Sequence, residues 1–487
     1  MKNTIKVLLL LMSLALVLSA FVSCGEKAPE NNGNQNVESQ PKKEETADEE
    51  GFIYAPPNVN YGGDEFNIYT WSTTDEWVLS VDETSTAIDS ETFYHFCNVE
   101  YELGVIFNIA QSVSGGWGYH TDFIQKVKML TGADGIDLVC QYSLAAVHGV
   151  IEGCYVDLTS VDYINWDAPY WSGDLKEANT LNGKIFYCSG ELSRSVIYNM
   201  YVTLFNYTLV NSYGLGNLYS LVDNNEWTVA KLRELSENVY VDLNNDETQN
   251  MGDRFGLVVN KLSVDPLQYG CDLPLLITNE MGELEVNPLL RADYGIGVVD
   301  TLVDLLHTNP GAYVGNASIN IPDYTDAMIN GNAVFSVDLA SYIINTLHLS
   351  DVNYGIMPMP KYSAEQDRYY TCLSMVYSMF AIPNCAADYN MSAAVLESLA
   401  HDGYANLTPY IFEECLKSRY SKRPEDAQMF DLLRAGIVYE PGRIFENVGI
   451  FSVVRSSVAA NRSFVVDYDQ YESGYKKGIA DVNFAFS

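Results

Sequence analysis

From residue 64 to residue 142 the sequence alternates between two hydrophobic periods. DEFNIYTW (64–71) reads as a strand, SETFYHFCNVEYELG (90–104) has helical spacing, and VIFNIAQ (105–111) returns to strand. YHTDFIQKVKMLTGADG (119–135) predicts an amphipathic helix stopped by its glycines, and IDLVCQY (136–142) a third strand. Strands alternating with helices build a parallel, doubly wound α/β sheet. Ligands of such sheets bind beyond the carboxyl ends of the strands. Trp71, Gln141 and Tyr142 therefore fall at an edge and not in the core.

At 487 residues the chain is too long for one core and is sized for two or three domains. GKIFYCSGELSRSVIYNMYVTLFNYTLV (183–210) is apolar, β-rich and long enough to cross between lobes. NEWTVAKLRELSENVYVDL (225–243) starts a helix with Thr228 as N-cap. NAVFSVDLASYIINTL (332–347) pairs a short strand with a helix opening near Ser341. CLSMVYSMFAIP (372–383) carries the chain back to the first lobe, and the last hundred residues read as mainly helical. No fixed-period repeat is visible, which argues against solenoids and propellers.

The amino terminus sets the compartment. Lys2 and Lys6 precede an apolar run from Val7 to Val22, then Ser23 and Cys24. This is a secretory signal, too short and wrongly flanked to span a membrane. Cys24 at the cleavage point resembles the bacterial lipobox, where the thiol receives diacylglycerol, although Phe21 stands where leucine is usual. Residues 24–60 are polar, rich in Pro, Asn and Glu, and aperiodic, as expected of a disordered, lipid-anchored tether. The expected division is signal peptide 1–23, tether 24–60, a first lobe of 61–195 with 371–412, and a second of 196–370 with 413–487. The other eight cysteines have neither C-x-x-C spacing nor histidine partners, so buried free thiols fit as well as disulfides.

Lys and Arg total 27 against 64 Asp and Glu, a net charge of −37. Nucleic-acid binding needs the opposite sign. No P-loop, G-x-S-x-G, H-E-x-x-H or G-x-G-x-x-G occurs, and the six histidines are scattered. A carboxylate pair of the glycosidase kind is invisible in sequence, so a surface carbohydrate-active enzyme stands as the alternative to a binding protein. A lipoprotein for a peptide or another polar solute is a further one.

Five stretches carry a family resemblance: residues 166–193 (WDAPYWSGDLKEANTLNGKIFYCSGELS), LFNYTLVNSYGL, EWTVAKLRELSENV, the acidic loop before RFGL, and YGIMPMPKYSAEQDRYYT (354–371). In this order, behind a lipoprotein signal, they resemble the extracellular solute-binding proteins of ABC importers, in the branch that takes sugars and oligosaccharides. The resemblance implies a periplasmic-binding-protein-like fold of type II. Two doubly wound lobes, joined by hinge strands and followed by a helical C-terminal part, would close on a ligand without chemistry. It implies a monomer that hands its ligand to a permease at the outer face of a bacterial membrane, touching the bilayer only through the anchor.

A pyranose needs a flat aromatic for its apolar face and carboxylates or amides for its hydroxyls. The candidates are Trp71, Glu76, Trp77 and Trp117 from the first lobe, with Gln141 and Tyr142, whose position resembles a ligand-facing one in this family. Asp338 and Tyr342 are the second lobe's candidates. Trp71 is equally readable as core, Trp117 as packed, and Asp338 with Tyr342 as a helix cap and a packed ring. Trp166, Trp171 and Trp227 read as structural. In VDLNNDETQNMGDRFGL, Asp242, Asn244, Asp246, Thr248 and Asp253 fall at calcium-loop positions 1, 3, 5, 7 and 12. Glu247 occupies the position usually held by glycine, and Asp253 is shorter than the usual bidentate glutamate. A structural Ca²⁺ and a metal-free hydrogen-bonded turn both fit; no cofactor is required.

Overall fold

The computed structural model describes residues 54–71, 86–113, 120–130, 135–315 and 326–487. Cys24, Glu76, Trp77 and Trp117 lie outside the described residues.

The first sheet is built from β1 (Asp64–Trp71), β2 (Val105–Val113) and β3 (Leu138–Tyr142). β1 lies between the other two and is parallel to both, with Asp64 opposite Val105 and Ile68 opposite Leu138. Helices α1 (Ala87–Leu103) and α2 (His120–Met129) make the crossovers, as the change of period requires. A fourth strand, Ser378–Ala381, pairs with β3 in the antiparallel sense, Ser378 opposite Tyr142. The chain re-enters this sheet at the edge where β3 leaves it, so it must run the other way.

The helix boundaries follow from local chemistry. Thr86 caps α1 in a reciprocal capping box with Asp89. Gly104 ends the helix in the left-handed region (φ 65°), and its N–H returns to the Glu100 carbonyl. A side chain there would also collide with Asn60, 2.7 Å from the place of a Cβ. His95 pins α1 from within: Nδ1 meets Asp402 Oδ2 at 2.7 Å and Nε2 meets the Leu192 carbonyl at 3.1 Å.

The second sheet has the order β7–β4–β6–β5, from β4 (Tyr201–Asn206), β5 (Arg254–Asn260), β6 (Ala333–Leu339) and β7 (Tyr354–Met357). β6 runs parallel to β5, while β4 is antiparallel to both β6 and β7. Two short strands, Tyr240–Val241 and Ala312–Gly315, edge β5. Thr228 caps the helix Val229–Ser236, its side chain accepting from the Lys231 N–H. Trp227 is fully buried and donates to the Pro358 carbonyl. Trp171 is buried too and donates to Glu397, while half-buried Trp166 rests on it.

Three segments pass between the sheets. Met200 bridges Leu373, Ser374 N–H donates to the Asn199 carbonyl, and Ile437–Val438 pairs with Thr371–Cys372. The helix Phe464–Ala485 packs against both the Leu284–Val286 strand and the helix Ser143–Ile151 that follows β3. None of the eight described cysteines is disulfide-bonded. No helix among the described residues is long and apolar enough to cross a membrane.

Candidate functional site

A cavity of about 540 Å³ opens where the crossing segments meet the carboxyl ends of β1 and β3. The first sheet contributes Trp71, Gln141 and Tyr142, and the start of α1 contributes Thr86 and Asp89. The crossing helix Ser195–Tyr198 and its flanks add Arg194, Ser195, Tyr198 and Asn199. Ser341 and Asn345 face it from the second sheet's side. Ser195 ties the crossings together, because its hydroxyl accepts from the Ser378 N–H at 2.9 Å.

Aromatic packing builds one wall. The Trp71 ring stacks on Phe123 (centroids 5.3 Å apart, 26° between planes) and on Tyr142 (4.8 Å, 28°). Packed against both rings, the indole is only 4% exposed. Trp71 therefore lines the cavity with little exposed surface. Tyr142, half-buried at the end of β3, is the ring placed to offer a face.

The polar groups are arranged around one ion pair. Arg194 Nη1 lies 2.6 Å from Asp89 Oδ1, the arginine buried and the aspartate half-buried. Burial raises the Asp89 carboxyl, but bonds from Arg194 and from the Thr86 N–H and hydroxyl outweigh it and hold the group below its ordinary value. The pair cancels its own charge. Gln141 is 1% exposed; its Oε1 accepts from the Tyr155 hydroxyl, while its buried Nε2 has no partner. A buried amide without an acceptor is costly, and it lines this cavity.

The second side differs from the sequence expectation by one helical step. In the helix Ala340–Asn345, Ser341 and Asn345 face the cavity, as an i, i+4 pair must share a face. Tyr342 points into the core instead. Asp338, at the end of β6, is half-buried and does not line the cavity. Its carboxyl is pushed up to about 7 by burial, opposed by the Leu339 N–H it accepts at 2.7 Å. Sequence reasoning missed Thr86, Asp89, Arg194 and Asn199, although the capping pattern T-A-I-D was readable.

No residue of the acidic loop lines this cavity, and the loop is closed on itself. Asp242 accepts from the Asn245 and Glu247 N–H groups, and Asp246 Oδ1 from Thr248 N–H. Asp246 Oδ2 accepts from the side-chain amides of Asn244 and Asn250 at 3.0 and 2.8 Å. Asp253 is buried and accepts from Leu243 and Asn250 N–H. Among the described residues no group of three or more His, Cys, Asp or Glu side chains is placed to hold a metal.

No protein-family model matches the sequence, and no curated protein matches it either. Solved structures match through the fold. An ABC substrate-binding protein of Listeria monocytogenes in complex with cycloalternan is 11% identical, with a TM-score of 0.53 over 86% of this chain and 98% of that one. The fold is that of the ABC substrate-binding proteins. The GacH receptor of Streptomyces glaucescens, solved unliganded and with acarbose, gives 13%, a TM-score of 0.53, and 87% and 97% coverage. UgpB of Mycobacterium tuberculosis, in complex with glycerophosphocholine, gives 14%, 0.53, and 86% and 98%. Within this substrate-binding-protein fold the two sheets are the centres of two lobes, and the cavity lies in the cleft between them.

Proposed function

We propose that the chain is a lipid-anchored, extracytoplasmic solute-binding protein that captures a neutral sugar or oligosaccharide in the interlobe cleft and delivers it to an ABC permease. The observation that carries this reading is the lining of the cleft. It combines an aromatic wall, amides and hydroxyls with an ion pair that leaves no net charge for the ligand to answer. Tyr142 supports the apolar face of a pyranose. Gln141 Nε2 donates to a hydroxyl, and Ser341 and Asn345 close from the second lobe. A phosphorylated ligand is disfavoured, because Arg194 is already bonded to Asp89. The cavity's volume suits a ligand of one to a few sugar units.

Capture is reversible binding coupled to movement of the lobes about the three crossings, and no bond of the ligand is broken. A thermal-shift screen of the mature chain against neutral mono- and oligosaccharides tests the reading. A ligand that binds only the folded state raises the midpoint, by an amount that grows with its concentration. A panel without any shift, or one in which only phosphorylated solutes shift the midpoint, would refute it.

A further inference from the structure

The crossing helix has a second cavity behind it. Ser195 and Tyr198 line the cleft, while Val196 and Ile197 line a partly open space of about 250 Å³ on the helix's other side. Its walls carry the rings of Tyr170, Tyr404, Phe412 and Tyr439 and the carboxylates of Asp174 and Glu191. Nothing in the proposed capture of a sugar uses these groups.

Three observations say what the space prefers. Tyr439 is 6% exposed and lines the cavity, and among the described residues its hydroxyl has no hydrogen-bond partner. The residue is buried but its hydroxyl is open to the cavity, where a ligand or a water can meet it. Gly190, at φ 99°, lies beside it: a Cβ there would be in ordinary contact with that hydroxyl, at 4.0 Å.

Glu191 Oε2 accepts from the Thr408 hydroxyl, while the arginines stand further from the two carboxylates. Glu191 Oε1 lies 3.4 Å from Arg434 Nη2, and Asp174 Oδ2 lies 3.7 Å from Arg368. Burial, then the Glu191 and Asp174 charges, push the Tyr439 hydroxyl well above its ordinary pKa. Arg434, which also lines the cavity, rests over the Phe412 ring at 5.0 Å and leaves the tyrosine rings as the uncovered aromatic wall.

We propose that this second cavity binds a small alkylammonium cation, its head against Glu191 and Asp174 and its carbons on the tyrosine rings. A cation gains from both the carboxylates and the ring faces, whereas a neutral molecule of the same shape gains only from packing.

Choline and its uncharged carbon isostere, 3,3-dimethylbutan-1-ol, are the probes, titrated calorimetrically into the mature chain at low ionic strength. One choline is expected to bind per chain, with the isostere at least about tenfold weaker. Glu191→Gln is expected to weaken choline by about tenfold with little change in melting midpoint. Tyr439→Phe, which removes only the unpartnered hydroxyl, provides the second variant should the first lose its Thr408 contact and unfold. It is expected to weaken choline by about threefold. Tyr142→Ala is expected to leave choline binding unchanged. Equal binding of choline and isostere, no heat with either, or choline affinity untouched in both cavity variants would overturn the proposal. So would loss of choline binding in Tyr142→Ala, which would place choline in the cleft. No sugar enters the measurement, so its failure leaves the reading of the cleft where it stands.

Discussion

Tyr142 stacks on Trp71 with centroids 4.8 Å apart, so one ring is the support of the other. Trp71 also stacks on Phe123 and is almost wholly buried. Trp71→Ala should therefore behave as a core truncation and destabilise the fold by about 3–5 kcal/mol. Urea unfolding measures this through the midpoint at constant slope. A loss below about 1 kcal/mol, with ligand affinity gone, would return the platform role to Trp71 itself.

Asp338 makes stability depend on pH. Its carboxyl titrates near the ordinary value of 3.8 in the unfolded chain and at about 7 in the folded one. Between these values the folded chain keeps a proton that the unfolded chain has released. Stability from this group therefore falls as pH rises from about 4 to about 7, and stays low above. His401 acts in the opposite sense: burial depresses it to about 4, so stability is lost as pH falls below its ordinary 6.5. Asp338→Asn isolates the first effect. It should raise stability at pH 8 by on the order of 1–3 kcal/mol and do nothing at pH 4, after allowance for the half-exposed site. Parallel stability–pH curves for the two proteins would contradict the assignment.

The acidic loop is expected to hold without metal. Two amide groups, from Asn244 and Asn250, point their hydrogens at Asp246 Oδ2, where a cation would need bare oxygens. The melting midpoint should be the same in EDTA and in excess calcium. A drop in EDTA that calcium reverses would make Asp242, Asn244, Asp246, Thr248 and Asp253 a metal site.

Cys24 is expected to be the anchor. Cys24→Ser should release the protein from the membrane fraction into the medium; retention of the variant would remove the lipid from the account.

Much of the first lobe was legible because its signals are local. Periodicity placed β1, α1, β2, α2 and β3 to within a few residues, and Thr228 declared its helix by capping chemistry. The antiparallel fourth strand was not legible, since the direction of Ser378–Ala381 depends on where the chain re-enters and not on its own residues. The edge position of Gln141 and Tyr142 followed from the sheet rule, and both line the cleft. Asp338 and Tyr342 were expected at the ligand because they follow the strand AVFSV, but the cavity takes Ser341 and Asn345, since helix phase is set by tertiary packing that a six-residue helix does not announce. Arg194 and Asp89 are 105 positions apart, and no local pattern brings them together.

The central claim is that Tyr142 carries a neutral sugar in the cleft, and calorimetric titration of the parent chain and Tyr142→Ala tests it most directly. With the oligosaccharide that gives the largest thermal shift, the parent should bind one ligand per chain and return it chemically unchanged. Tyr142→Ala should bind it roughly 10- to 100-fold more weakly, the scale of losing one aromatic platform, with a near-normal melting midpoint. Equal affinity in the two proteins, or hydrolysis of the oligosaccharide by the parent, would contradict the account.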